Sequence, residues 1–152
     1  MTSGTSDRTF VDTNVLIYAH DVDAGRKRQI AQELLRALWA DRAGILSTQV
    51  LQEFYVNATR KIRKPLTKPQ ARSVVDTYAS WCIDGTRTGD IIAAFQIEDQ
   101  ARIGFWDALI IAVAARSGAR HVLSEDLNNG QSIAGISIRN PFKETARPKP
   151  RR

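Results

Sequence analysis

The sequence predicts an α/β protein, a three-layer α/β/α domain with a central, mostly parallel sheet. Short apolar strand candidates alternate with longer stretches of helical periodicity along the chain, an order typical of a parallel sheet with helices on both faces. With 152 residues, 43% of them hydrophobic, the chain can bury the core of one domain. We expect this domain over residues 8–140, after a flexible N-terminus (1–7) and before a basic, proline-rich tail (141–152).

The chain begins with a strand candidate and two helices. Arg8–Asp12 predicts a short strand that ends in an acid, and a helix from Thr13 to Ala19 follows directly. After a turn over Asp21–Gly25, a second helix extends to about Ala40. Its apolar residues share one face at helical spacing: Ile30, Leu34, Leu35 and Leu38.

A second strand and two more helices complete the first half. Gly44–Ser47 predicts a short buried strand, and Ser47 or Thr48 can cap the helix that follows. Glu53 is near the start of that helix, off its apolar stripe. Thr67–Gln70 has the pattern of a capping box and predicts the start of the next helix, whose apolar face continues to Cys82.

In the second half of the chain, strand candidates again alternate with predicted helices. Asp84–Arg87 predicts a turn with a short strand, and Thr88 is expected to cap a helix that ends at Gly104. A strongly apolar helix follows from Phe105 to Gly118, and its breadth predicts burial on most sides. Two strand candidates follow, Arg120–Ser124 and Ile136–Arg139.

The composition of the chain indicates its cellular compartment and the kind of partner it favours. The longest apolar run is too short for a membrane span, and the N-terminus has no signal-peptide pattern, which predicts a cytoplasmic protein. A single cysteine cannot form an internal disulfide. The net charge of +6 favours a polyanionic partner but does not establish one.

Four acids are predicted to meet at one edge of the sheet. Asp12 and Asp126 directly follow strand candidates, whereas Glu53 and Asp107 are near helix N-termini. In right-handed βαβ units, strand ends and helix N-termini lie over the same sheet edge. Singly, each acid also fits a capping or helix-dipole role.

Carboxylates crowded at one edge repel each other, and divalent cations can neutralise them. Oxygen ligands suit Mg²⁺ or Mn²⁺, and one cysteine with two separated histidines cannot form a zinc site. Neighbouring polar residues can bind substrate or orient the acids, and these candidates are Thr13, Asn14, Ser124 and Asn128. Turn formation explains Asn128 equally well.

With those residues identified, the chain resembles the PIN-domain family, and within it the VapC-type toxins of bacterial toxin–antitoxin pairs. The matching motifs are FVDTNVLIY, VLQEFY, GFWDALIIAVA and VLSEDLNNG, each with one of the four acids. The resemblance covers about Phe10 to Gly130 and implies the three-layer fold. Asn128 stands where some members have another acid, so the resemblance does not imply a strong second metal site.

The resemblance further implies a Mg²⁺- or Mn²⁺-dependent endoribonuclease with a small antitoxin partner, commonly a homodimer. In this hypothesis Asp12, Asp107 and Asp126 hold the metal and Glu53 completes the catalytic cluster. Hydrolysis would leave 5′-phosphate and 3′-hydroxyl ends on the RNA, because the chain has no plausible His–His or His–Lys pair for attack by the 2′-hydroxyl.

Two other classes stay open at this stage. Asp12 after a strand also fits an enzyme that transfers phosphoryl groups through an aspartate, although Asn14 replaces the second acid of dehalogenase-like phosphatases. A non-catalytic PIN-like nucleic-acid-binding module is the other alternative.

Overall fold

The computed structural model describes residues 7–143. Most of the expected flexible N-terminus and basic tail therefore lies outside the described residues. Two residues beyond the expected domain limits contact the fold. Asp7 lies 3.2 Å from the His121 ring, and the Phe142 ring packs edge-on against Tyr18 with centroids 5.0 Å apart.

The sheet has five strands in the order β2-β1-β3-β5-β4, which confirms the prediction of a mostly parallel sheet. β1 pairs in parallel with β2 and β3, and β3 pairs in parallel with β5. Only β4 is antiparallel, to β5. The strands are β1 (Thr9–Val11), β2 (Gly44–Ile45), β3 (His121–Leu123), β4 (Ser132–Ile133) and β5 (Ile136–Arg139).

β4 is absent from the sequence-based prediction because it is only two residues long. Its hairpin to β5 turns through Ala134 and Gly135, both at positive φ. Two-residue hairpin turns favour Asn-Gly or Asp-Gly at such positions. Alanine gives no comparable signal, so the hairpin could not be recognised.

Six α-helices are described: α1 (Thr13–His20), α2 (Arg26–Asp41), α3 (Thr48–Arg60), α4 (Lys68–Tyr78), α5 (Thr88–Ala101) and α6 (Phe105–Arg116). Their most extensive contacts form two groups, one of α1 to α4 and one of α5 with α6. The α/β architecture agrees with the predicted fold class. α6 is buried on most sides, as its apolar sequence predicts.

Two predicted helix starts are confirmed. The Ser47 hydroxyl accepts a hydrogen bond from the Val50 amide at 3.2 Å, so Ser47 rather than Thr48 is the N-cap of α3. At α4 both bonds of the capping box form between Thr67 and Gln70.

The prediction for α5 is wrong at both ends. The cap position is Arg87 rather than Thr88, because the Asp90 carboxylate accepts a hydrogen bond from the Arg87 amide at 2.8 Å. The helix ends at Ala101, before Gly104, since Arg102 adopts the left-handed conformation with φ of 56°. Residues 84–87 also form no strand.

The topology brings the carboxyl ends of β1 and β3 to neighbouring positions in the sheet. α1 begins immediately after β1, and α1 contacts α3. In residues 7–143, no helix has the length and apolar character that crossing a bilayer requires.

Candidate active site

A cleft of about 290 Å³ at this end of the sheet contains all four predicted acids, Asp12, Glu53, Asp107 and Asp126. They come from the end of β1, from α3, from the first turn of α6 and from the segment after β3. The other lining residues are polar or apolar: Thr13, Asn14, Ile17, Gln49, Asn57, Trp106 and Ile110.

Asp12 is the most buried of the acids and is only 4% exposed. It is the N-cap of α1, where its Oδ1 accepts a hydrogen bond from the Thr13 amide at 2.7 Å. Its Oδ2 accepts a second hydrogen bond from the Ser124 hydroxyl at 2.6 Å. Both carboxylate oxygens are therefore held in fixed directions by donors on two different segments.

Ser124 connects the acids that follow β1 and β3. While its hydroxyl donates to Asp12, its Oγ accepts a hydrogen bond from the Asp126 amide at 3.1 Å. Ser124 is fully buried, so the link is protected from water. The S-x-D spacing thus fixes Asp126 relative to Asp12.

Glu53 is oriented by donors to both of its oxygens. The Thr13 hydroxyl donates to Oε1 at 2.6 Å, and the Gln49 amide donates to Oε2 at 3.2 Å. Gln49 is absent from the sequence-based prediction. The signal that could have identified it is its position one helical turn before Glu53, where an i,i+4 pair interacts.

Asn14 lies beside Asp126, and its amide nitrogen is 3.2 Å from the Asp126 carboxylate. Its carbonyl oxygen accepts a hydrogen bond from the Glu125 amide at 3.3 Å. Asn128, in contrast, is not among the residues that line the cleft. It is exposed in a turn, where its backbone carbonyl accepts a hydrogen bond from the Gln131 amide.

Burial and mutual repulsion raise the pKa values of two cleft acids. Burial raises the pKa of Asp12 to about 6, although hydrogen bonds from Ser124 and Thr13 oppose this shift, and the charges of Asp126 and Asp107 add to it. Burial also raises the pKa of Asp107, with further contributions from Asp126 and Glu53. The acids are thus close enough to disfavour each other's ionised forms.

None of the four cleft acids forms a salt bridge within residues 7–143. Acids outside the cleft do have such partners. Glu125 contacts the Lys27 ammonium at 2.5 Å, and Asp90 pairs with the Arg116 guanidinium at 2.7 Å. The cleft therefore concentrates negative charge that the described side chains leave uncompensated.

The donor chemistry of the cleft fits Mg²⁺ or Mn²⁺. Its charged groups are all carboxylates, the ligands that these ions prefer. As placed within residues 7–143, no three His, Cys, Asp or Glu side chains are close enough to enclose an ion. Mg²⁺ does not require enclosure, because it keeps several waters and binds through one or two carboxylates together with substrate phosphate.

The two histidines lie outside the cleft. His20 Nδ1 lies 2.9 Å from the Leu16 carbonyl oxygen, and burial lowers its pKa. His121 lies beside Asp7. A larger cavity of about 820 Å³, lined by residues of α1, α2 and α4 that include Trp39 and Tyr78, also contains none of the four acids.

The raised pKa of Asp12 predicts a pH dependence of stability in the metal-free protein. Because the folded-state pKa of about 6 exceeds the unfolded value, protonated Asp12 favours the folded state, and this contribution is lost as pH rises through 6. In EDTA we expect the free energy of unfolding of wild type to fall by up to about 3 kcal/mol relative to Asp12→Asn between pH 4 and pH 7.5. Urea titrations of both proteins across this range measure the difference, and parallel pH profiles would contradict it.

Comparison with known proteins identifies a family for this chain. The model of the PIN domain family matches residues 9–130, a range that contains all four acids. No curated protein matches the chain by sequence.

Solved structures share the fold at low sequence identity. A toxin–antitoxin complex from Klebsiella pneumoniae is 18% identical, with a TM-score of 0.64 over 88% of this chain and 98% of that chain. VapC20 of Mycobacterium tuberculosis, a toxin that cleaves the sarcin–ricin loop, is 18% identical, with a TM-score of 0.59 over 78% of this chain and 89% of that chain. DNA-bound VapBC from Salmonella typhimurium is 22% identical, with a TM-score of 0.63 over 90% of this chain and 99% of that chain.

Proposed function

Because the chain belongs to the PIN domain family, we propose that it is a metal-dependent endoribonuclease that hydrolyses RNA phosphodiester bonds. The observation that carries this proposal is the cleft in which four carboxylates from separate segments meet without a cationic side chain. A structural role does not explain such a cluster, since like charges at short range oppose folding. A site that receives a cation and a phosphate does explain it.

Asp12, Asp107 and Asp126 would hold Mg²⁺ or Mn²⁺, and Glu53 completes the cluster. When bound, the cation would neutralise charge on the phosphate and make an attacking water more acidic. Ser124 and the Thr13 amide fix the two oxygens of Asp12.

The remaining donors position the other acids. Gln49 and the Thr13 hydroxyl orient Glu53, and Asn14 holds Asp126. Neither histidine nor lysine is among the residues that line the cleft, so the cleft lacks the His–His or His–Lys pair of the metal-free route through the RNA 2′-hydroxyl. Attack by water instead leaves 5′-phosphate and 3′-hydroxyl ends.

Position 14 disfavours phosphoryl transfer through Asp12. Dehalogenase-like phosphatases have a second acid two residues after the nucleophilic aspartate, whereas this chain has asparagine there. Asn14 donates to Asp126 and cannot act as a second acid.

Mg²⁺ or Mn²⁺ is expected to raise the melting temperature of the full chain, because an ion that binds only the folded state stabilises it. At ten times the dissociation constant the gain is about 1.4 kcal/mol, which corresponds to roughly 3–6 °C for a domain of this size. Asp12→Asn should shift less than wild type, and Asp99→Asn, on the exposed side of α5, should shift as wild type does. Equal shifts for all three proteins would place the ion elsewhere, and no shift would argue against the site.

We extend the proposal to a toxin that acts in the cytoplasm, as a homodimer, with a small antitoxin protein as its partner. The support is the family together with the fold shared with a chain of a toxin–antitoxin complex, with VapC20 and with a chain of VapBC.

Induced expression in a bacterial host is expected to arrest growth for wild type and not for Asp12→Asn. Co-expression of a small protein encoded immediately upstream should restore growth and should co-purify with the chain. Growth arrest by both proteins would exclude RNA cleavage as its cause.

A further inference from the structure

Trp106 is the most exposed large hydrophobic residue in residues 7–143, with 64% of its surface accessible. It lies in the first turn of α6, immediately before Asp107, and it lines the same cleft as the four acids. Its one described ring contact is with Phe105, an edge-to-face arrangement with centroids 5.2 Å apart. The indole is therefore supported from one side and open to solvent on another.

The aromatic surface continues away from the cleft. The Phe105 ring lies 5.9 Å from that of Phe95, which is itself 51% exposed. Phe105 packs partly against the core, whereas packing inside the protein does not account for the exposure of Trp106 and Phe95. Binding of a cation to the carboxylates does not require an aromatic ring next to them either.

Single-stranded nucleic acid has groups that suit both parts of the site, the carboxylates and the exposed indole. Its phosphates suit a cation held by carboxylates, and its unpaired bases stack on aromatic side chains. In a duplex the base faces are already stacked on each other, so they cannot cover an indole. A cleft of about 290 Å³, at the lower limit of typical ligand pockets of about 300–1,000 Å³, suits one nucleotide rather than a helix.

We propose that Trp106 is the platform on which an unpaired base next to the scissile phosphate stacks. This inference rests on the proposed nuclease function. Every base has a π-face, so the platform increases affinity without selecting a base. Trp106 thereby increases affinity for RNA with unpaired bases, while other contacts determine the sequence.

The test compares Trp106→Ala and Trp106→Phe with wild type, using full chains and a labelled, mixed-sequence single-stranded RNA in Ca²⁺. We expect Trp106→Ala to bind this RNA roughly 5- to 100-fold more weakly, and Trp106→Phe to retain most of the affinity. The dependence of affinity on salt should keep its slope, because no phosphate contact is removed. The same RNA annealed to its complement should bind the three proteins equally.

Tryptophan fluorescence provides a second readout with a matched control. RNA should quench the emission of wild type, and Trp106→Phe should abolish most of this quenching. Trp39→Phe replaces another exposed tryptophan, 45% accessible and outside the cleft, and should leave both quenching and affinity unchanged. Since Trp106 is exposed, its variants should melt at the wild-type temperature.

The outcomes separate this inference from the proposed function. If wild type cleaves RNA in Mn²⁺ and Trp106→Ala binds the probe as wild type does, the stacking role is wrong and the nuclease stands. If Trp106→Ala instead converts a dimer into a monomer in light scattering, the indole is covered by a second copy of the chain and the inference is overturned. If wild type neither binds nor cleaves RNA, both proposals fail.

Discussion

Asp12→Asn is expected to lower the rate of metal-dependent RNA cleavage by at least about 10³-fold, the scale of losses seen when a member of a catalytic cluster is removed. Asp12 is the acid that hydrogen bonds link to two of the other three. It shares Ser124 with Asp126, and it precedes Thr13, the residue that donates to Glu53. An amide in its place binds a divalent cation poorly and removes one negative charge from the cleft.

The same substitution should leave the fold intact. Asparagine can still accept the Thr13 amide as an N-cap, and its amide nitrogen can donate to Ser124. Steady-state cleavage of a fluorogenic RNA measures the loss, and far-UV circular dichroism with a melting curve verifies folding. Asp99→Asn, outside the cleft, is the matched control and should cleave normally. Retention of more than a tenth of the wild-type rate by folded Asp12→Asn would remove Asp12 from the mechanism.

Removal of divalent cations is expected to abolish cleavage completely and reversibly. Without a cation, the carboxylates that line the cleft repel the RNA phosphate and each other. Excess EDTA should therefore stop the reaction, and addition of Mg²⁺ or Mn²⁺ beyond the chelator should restore it. Rates measured across a titration of each ion test this expectation and show which ion is preferred.

Cleavage that persists in excess EDTA would contradict the metal-dependent mechanism. Binding of RNA without turnover in any divalent cation would instead favour a nucleic-acid-binding module. A contaminating nuclease is excluded if Asp12→Asn, purified in parallel, is inactive at every ion concentration.

Two features of the sequence made it predictable that the four acids would meet. Strands alternate with helices along the chain, and two of the acids directly follow strands. Asp12 and Asp126 follow strands that pair in parallel, so both had to appear at the same sheet edge. Asp107 and Glu53 lie in helices that start near this edge, and the structure brings them into the same cleft. These placements depend only on chain order and on the handedness of the crossover connections.

Side-chain partners were less predictable because they depend on distances between segments. The bond from Thr13 to Glu53 connects residues forty positions apart, and no pattern in the sequence indicates it. Glu125 also could not be assigned from sequence. Burial opposes its ionisation, but hydrogen bonds from Lys27 and Tyr18 outweigh this and lower its pKa, so it is a paired acid rather than a member of the cluster.

The exposure of Trp106 could not be predicted from the sequence for a different reason. In GFWDALII it stands at the start of the apolar sequence that opens α6, yet it is largely exposed while Ala108 and the residues after it are buried. Hydrophobic periodicity predicts which helix is buried, but the first turn of that helix extends beyond the core and into the cleft. The direction of a side chain at a helix end follows from tertiary structure alone.

Sequencing of RNA ends after brief expression of wild type and of Asp12→Asn tests the central claim most directly, because activity, mechanism and substrate are measured together. The account predicts new 5′-phosphate ends at defined, unpaired sites with wild type and none with Asp12→Asn. New ends that carry 5′-hydroxyl groups, or identical 5′-phosphate ends in both proteins, would contradict hydrolysis by the carboxylate cluster.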